Sequence, residues 1–299
     1  HADPIPPQIA ERFDSAHHLL VYSEYARGEV AAYQGGRYAN KVIRIPHGVD
    51  TDAYRPVSSP EERGAFRKVV SGGEWDDGHF VIGMVAANKG YPSRKSFPEA
   101  IEAFARFASA HSNARLFLHT NTGPEFQGPD LDRFLEHFGV ANLTRKANPR
   151  LLFAGAYDDE MMRQVYCACD VLLAPSQGEG FCLPLIEAQA CGVPVITTDH
   201  SAMAENTGAG WRVPPLRLIP SLILGKFAEA DVGGIVHALE ECYRRPPETL
   251  PYWSQMARDF ALRFSWPKVL PVWGQFLDTI DAGRRELALE LVEINREAV

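Results

Sequence analysis

Glu179 and Glu187 stand eight positions apart in DVLLAPSQGEGFCLPLIEAQACGVPVITTD, residues 170–199, with no histidine or lysine between them. Two carboxylates at this spacing are ordinarily a solvated helix face. Their setting here is different. DVLLAPS reads as a buried strand and PLIEAQACG as a helix, so SQGEGFCL is the loop that joins them. Gly178 and Gly180 let that loop turn tightly and approach a ligand. Pro184 suits the first helical turn, where its missing N–H costs nothing. The amides near Phe181, Cys182 and Leu183 are then left pointing outward at the positive end of a helix dipole, an anion site suited to phosphate. Glu187, about one turn in, faces the same mouth. A carboxylate there repels phosphate unless it grips something else, and a vicinal diol offers two hydroxyl donors to its two oxygens. Glu179 is placed to grip a second polyol. Nucleoside, diphosphate and sugar laid across one helix start would satisfy all these groups.

The bulk numbers leave room for this chemistry and close off others. The 299 residues are enough for one large or two ordinary domains, and 45% hydrophobic with 23% charged is an ordinary globular balance. A net charge of −8, a pI near 5.7 and no lysine/arginine block argue against nucleic acid or an anionic membrane as the main partner. No apolar run reaches the ~20 residues of a membrane span, so membrane contact is expected to be peripheral at most. Five cysteines in no pairing pattern, Cys167, Cys169, Cys182, Cys191 and Cys242, suggest neither a disulfide framework nor a zinc site, and fit a reducing, cytoplasmic setting. The opening HADPIPPQIAERFD carries neither an initiator methionine nor a signal-peptide pattern, and is expected to be the tail of something longer.

The elements that must carry the loop alternate. A helix over 8–16, a strand in HHLLVYS, a helix capped by Ser23 and a strand in KVIRIP come first, followed by the turn-rich HGVDTDAYRPV. Strands are then predicted at 79–87, 114–121, RLLFAG (150–155), DVLLAPS and 193–198, with GWRVPPLR extended. Helices are predicted after residue 60 and at 97–111, 131–138, 158–169, 232–245 and 252–264, and the last ~30 residues read as helical. Near-continuous apolar strands between helices imply a doubly wound parallel sheet covered on both faces.

Several stretches together resemble one family. EGFCLPLIEA is similar to the Glu-x7-Glu signature of retaining glycosyltransferases of the GT4 type, the group 1 glycosyltransferases of GT-B architecture. VIRIPHGVDTDAYRP resembles their inter-domain linker, and IGMVAANKGYPSRKSFPEAIEAFARF their strand, basic loop and helix. LLFAGAYDDEMMRQVYCACDVLLAPS, GVPVITTD and RFSWPKV follow in the family's order, over roughly residues 15–275.

The resemblance implies an α/β fold with four parts: an acceptor-domain remnant (1–50), a linker (51–57), a Rossmann-like nucleotide-sugar domain (58–268) and C-terminal helices (269–299) returning toward the N-terminal domain. It implies that Glu187 binds the ribose, Glu179 the donor sugar, and the backbone of Gly180, Phe181, Cys182 and Leu183 the diphosphate. Lys95 matches a phosphate-neutralising base, with Arg94 beside it. An Arg often found after the first strand is absent; Ala87 and Asn88 stand there, which puts Asn88 at the donor and leaves Lys89 or Arg94 to replace the charge. The base is expected against FAGAYDD, near Tyr157.

The implied reaction is retaining transfer of a sugar from a nucleoside-diphosphate sugar to a sugar, lipid or other hydroxyl acceptor, without metal, because preorganised cations meet the departing phosphate. Two other readings stay open: a donor-nucleotide-binding module without transfer, and a nucleotide-sugar epimerase of GT-B form. The missing N-terminal domain, of which only the last ~50 residues are resembled here, is an expected partner. Other motifs carry less. Asp50-x-Asp52 mimics a metal motif but lies in the linker. Gly178-x-Gly180 lacks the third glycine of a dinucleotide fingerprint. Ser265-Trp266-Pro267-Lys268 spells a β-lactamase-like motif without its surroundings. Cys182 stands where the family has Gly and is read as a packing residue. His119-Thr120-Asn121 ends a strand on the ligand side, and His47 is a turn residue facing the cleft.

Overall fold

The computed structural model describes residues 7–123, 127–220 and 226–281; the opening residues 1–6 and the helix expected beyond residue 281 lie outside them. The chain starts with α1 (Pro7–Ser15), β1 (Leu19–Val21), α2 (Glu24–Ala32) and β2 (Val42–Arg44). β1 and β2 pair in parallel, and the Ser23 hydroxyl caps α2 by accepting from the Ala26 amide at 3.2 Å. In the stretch that follows, the Asp50 carboxylate accepts the amides of Asp52 and Ala53 at 3.0 and 2.9 Å, so this acid shapes a turn.

The larger unit runs α3 (Pro60–Ser71), β3 (Phe80–Val85), α4 (Phe97–Ala108), β4 (Ala114–His119), α5 (Leu131–His137), β5 (Thr144–Lys146), α6 (Pro149–Ala154), α7 (Asp159–Ala168), β6 (Val171–Ala174), α8 (Leu183–Ala190), β7 (Val195–Thr198), α9 (Ser201–Glu205) and β8 (Gly210–Val213). A hairpin of β9 (Leu218–Pro220) and β10 (Lys226–Ala228) precedes α10 (Val232–Tyr243), α11 (Leu250–Ala261) and α12 (Trp266–Asp281). The six strands β3 to β8 form one parallel sheet in the order β5-β4-β3-β6-β7-β8. Strand residues alternate between its two faces. Val81, Leu172 and Val195 pack with α7 and α8 on one side, while Ile82, Leu173 and Ile196 pack with α4 and α10 on the other. Phe97, Phe104 and Phe107 of α4 are fully buried, each contributing about 1.5–3 kcal/mol of burial.

One strand is not where the sequence reading put it. RLLFAG is helical, as α6, and the outer strand is β5, six residues earlier in its start. Asn148 accepts the Arg150 amide and Pro149 sits in the first turn, so local capping outweighs the apolar run. β5 lies at the sheet edge and its residues are polar, which hid it. The β9/β10 hairpin was also not anticipated. It matters because the Ala228 amide donates to the Gln177 carbonyl at 2.8 Å, pinning the loop after β6.

The two units are tied at several points. Val49 bridges Ser265, and Trp266 lies over Gly48 so closely that a Cβ there would meet its ring at 2.3 Å. Phe276 of α12 packs on Ile43 and Ile45. The Glu205 carboxylate accepts the first amides of α2, those of Glu24 and Tyr25, at 2.9 and 3.0 Å.

Candidate functional site

The chain leaves β3 toward β4 and β5 on one side, and leaves β6 toward β7 and β8 on the other. Between the carboxyl ends of β3 and β6 lies the switch-point crevice where open α/β sheets bind ligands. The loop after β3 and the loop after β6 meet there. The Gln177 amide donates to the Arg94 carbonyl at 2.8 Å, and Arg94 Nη1 donates to the Gly178 carbonyl at 2.6 Å. Lys95 Nζ donates to Glu179 Oε1, and Arg94 Nη1 lies 3.0 Å from the same oxygen. Burial by itself would raise the Glu179 carboxyl, but Lys95 first, then Arg94 and the Ser176 hydroxyl, outweigh it and hold the group below the usual carboxylate range. The Glu179 amide donates to Ser201 Oγ at 2.9 Å, fixing the acid from the far side.

At the start of α8 the left-handed position falls on Cys182, φ 70°, and neither Gly178 nor Gly180 takes a positive φ. The sequence reading had assigned the turn to the glycines. A Gly at 182 would adopt this conformation without the Cβ penalty. Burial pushes the Cys182 thiol up to about 12, with Glu179 adding to the rise and Glu187 contributing from the other side. That is a packing thiol, not a nucleophile. It also places both glutamates around one mouth. Among the described residues, no carbonyl receives the amides of Phe181, Cys182 or Leu183. Phe181 packs its ring on His47 and Phe264 at 5.2 and 5.6 Å between centroids.

Glu187 is held by a residue the sequence reading passed over. Tyr166 on α7 donates its hydroxyl to Glu187 Oε2 at 2.5 Å. Burial raises the Glu187 carboxyl, Tyr166 pulls it back, and Asp159 adds to the rise. Oε2 keeps a lone pair, and Oε1 is left for a second donor. The signal for Tyr166 was only that it lies two turns into an amphipathic helix, which does not distinguish a core phenol from a site one.

A cavity of about 530 Å³ opens at the carboxyl ends of β3 and β4. Ala86, Ala87, His119, Leu152, Phe153 and Pro184 are among its walls, so it adjoins the amide mouth of α8. Its surface is mainly apolar, as a flat heterocycle requires. Tyr157 presses against His119 with centroids 4.6 Å apart and rings at 89°, and its hydroxyl accepts the Asn148 amide. Asn88 also lines the cavity; its Nδ2 donates to the Pro129 carbonyl at 2.8 Å, while its buried Oδ1 has no partner. Lys89 is at the cavity edge and exposed. The Ser265–Lys268 motif lies at the crossing between the two units, where Ser265 bridges Val49.

Residues 79–223 match the family model for group 1 glycosyl transferases. The chain is 25% identical over 264 residues to the D-inositol 3-phosphate glycosyltransferase of Mycolicibacterium smegmatis, covering 85% of this chain and 50% of that protein. It is 24% identical to the alpha-galactosylglucosyldiacylglycerol synthase of Streptococcus pneumoniae, over 89% of this chain and 62% of that one. Over residues 79–223, which carry most of the six-stranded sheet and the crevice, the chain is similar to the group 1 glycosyltransferases.

The chain spans about half the length of the curated relatives it matches. Its fold is GT-B. Sucrose-phosphate synthase from Thermosynechococcus elongatus superposes with a TM-score of 0.69 at 18% identity, over 91% of this chain and 60% of that one. The Anabaena protein HepE, solved in complex with UDP and glucose, superposes with a TM-score of 0.68 at 18% identity, over 92% and 66%.

Proposed function

We propose that this chain carries the donor site of a retaining glycosyltransferase of the GT4 type. It would move a sugar from a nucleoside-diphosphate sugar to an acceptor hydroxyl, in the cytoplasm. The observation that carries the reading is the meeting of Lys95, Arg94 and Glu179 at the switch point, beside the free amides that open α8. As the bond to the anomeric carbon breaks, negative charge grows on the phosphate oxygens. Two cations and a helix start held in place beforehand stabilise that charge without reorganising. Lys95 and Arg94 would turn from Glu179 to the diphosphate, and the Glu179 carboxylate would turn to sugar hydroxyls. Glu187 would take the ribose diol, and the cavity beside His119 the base. Front-face attack, with the leaving phosphate assisting, accounts for retention without a protein nucleophile.

With cations supplied by side chains, the site needs no metal. Calorimetry with UDP, GDP and ADP, followed by a transfer assay with and without EDTA, tests the reading. Binding of one nucleoside diphosphate and EDTA-insensitive transfer are expected. A saturating ligand at about 100 times its Kd stabilises by roughly 2.7 kcal/mol, readable as a thermal shift. Transfer abolished by EDTA and restored by Mg²⁺ would overturn the metal-free part. Binding with no transfer by this chain would favour a donor-binding module. Release of free epimerised sugar without any acceptor would favour an epimerase.

A further inference from the structure

His119 ends β4 on the wall of the 530 Å³ cavity. Its two ring nitrogens are in unlike positions. Nδ1 is sealed from solvent and has no hydrogen-bond partner. Nε2 is not among the sealed atoms and, among the described residues, no protein group pairs with it. Burial lowers the imidazole to about 4, so the ring is neutral at physiological pH and carries one proton. A buried N–H without an acceptor costs more than a bare ring lone pair, so the proton belongs on Nε2. Tyr157, edge-on to the ring, holds it in place.

Apart from Asn88 Oδ1, a buried acceptor without a partner, the other polar side-chain groups on the cavity wall are engaged by the protein or peripheral. The Asn88 amide group serves the Pro129 carbonyl, Thr120 Oγ1 receives the Asn88 amide at 3.0 Å, and Asn121 Oδ1 receives the Gly123 amide at 3.4 Å. Lys89 is exposed at the rim. His119 Nε2–H is therefore a fixed, uncharged donor in an apolar slot.

We propose that His119 is a specificity-determining residue that reads the nucleobase through this donor. It selects bases with a ring carbonyl at the edge facing β4 over those with an amino group there. The inference rests on the donor-site reading above and adds the class of base. Uracil and the 6-oxopurines present an oxygen that accepts from Nε2–H. Cytosine and adenine present an amino donor at the equivalent position, and donor facing donor leaves both unpaired.

The test is a set of matched pairs that differ in oxo against amino: UDP with CDP, and IDP with ADP, each titrated calorimetrically. The wild type is expected to bind the oxo member of at least one pair on the order of tenfold more tightly, the equivalent of about 1.4 kcal/mol. His119→Leu should bring that ratio close to one, and His119→Gln, which retains an N–H donor, should keep part of it. A merely structural His119 would weaken all four ligands alike. Equal affinity within both pairs for the wild type overturns the inference, and this needs no variant to fold. A ratio preserved in a folded His119→Leu protein overturns it as well. In either case the donor site itself stands, because a nucleotide is bound. Failure of the wild type to bind any of the four overturns the donor-site reading and this inference with it.

Discussion

Arg94 crosses the crevice to lie with Nη1 3.0 Å from Glu179 Oε1, the same oxygen that Lys95 engages. The two cations a diphosphate requires are thus already paired with the acid assigned to the sugar. Donor binding is then an exchange of partners. The buried carboxylate keeps both cations oriented while the site is empty, at the expense of part of their attraction for phosphate.

Neutralising that acid should separate binding from chemistry. In Glu179→Gln, Lys95 and Arg94 lose their competing anion, so the Kd for UDP or GDP should hold or fall. The transfer rate should drop on the order of 10²–10³ as a transition-state contact is lost. Calorimetry paired with single-turnover rates checks both. Weaker nucleotide binding with an unchanged rate would contradict the exchange.

The Tyr166 hydroxyl should matter through Glu187. It is the contact that lowers a carboxyl otherwise raised by burial and by Asp159. Removing it in Tyr166→Phe moves the carboxyl further up, so protonation sets in at a higher pH. A protonated acid accepts a diol poorly, so nucleotide affinity should fall as pH drops, and should begin to fall at higher pH in the variant. At pH 7 the loss should be on the order of tenfold, a hydrogen bond to a charged group. Kd measured from pH 5 to 8 for both proteins decides it. Parallel profiles would mean that Tyr166 only packs.

Asp170 should be a stability residue. It stands at the amino end of β6, accepting from Arg63 and Arg67 at 2.6 Å each and from the Val81 amide at 2.7 Å. Arg67 is only 2% exposed. Asp170→Ala strands a buried guanidinium and should cost about 3–5 kcal/mol in urea unfolding. Nucleotide affinity of the folded variant should be unchanged, because the acid lies at the opposite end of the strand from the crevice. A loss under about 1 kcal/mol would show that water rescues the arginines.

What was legible in the sequence followed from short-range rules. Ser23, Asp158 and Pro184 mark helix starts because capping involves residues three or four apart. β3, β4, β6 and β7 stood out because strands buried on both faces are continuously apolar. The same logic misled at RLLFAG, where the apolar run is a helix whose Leu152 and Phe153 wall a cavity. It also missed β5, because an edge strand has little apolar burial to advertise it.

The sequence by itself determined the alternation of elements, the placing of Glu179 and Glu187 around one strand-to-helix loop, and a family likeness that named Lys95 and Arg94. Only the tertiary structure decided which groups each acid meets. Lys95 reaches Glu179, and Tyr166 reaches Glu187, because strand order sets the ends of β3 and β6 side by side and lays α7 against α8. Periodicity along a chain specifies which face of an element is buried, and carries no information about which distant element will cover it.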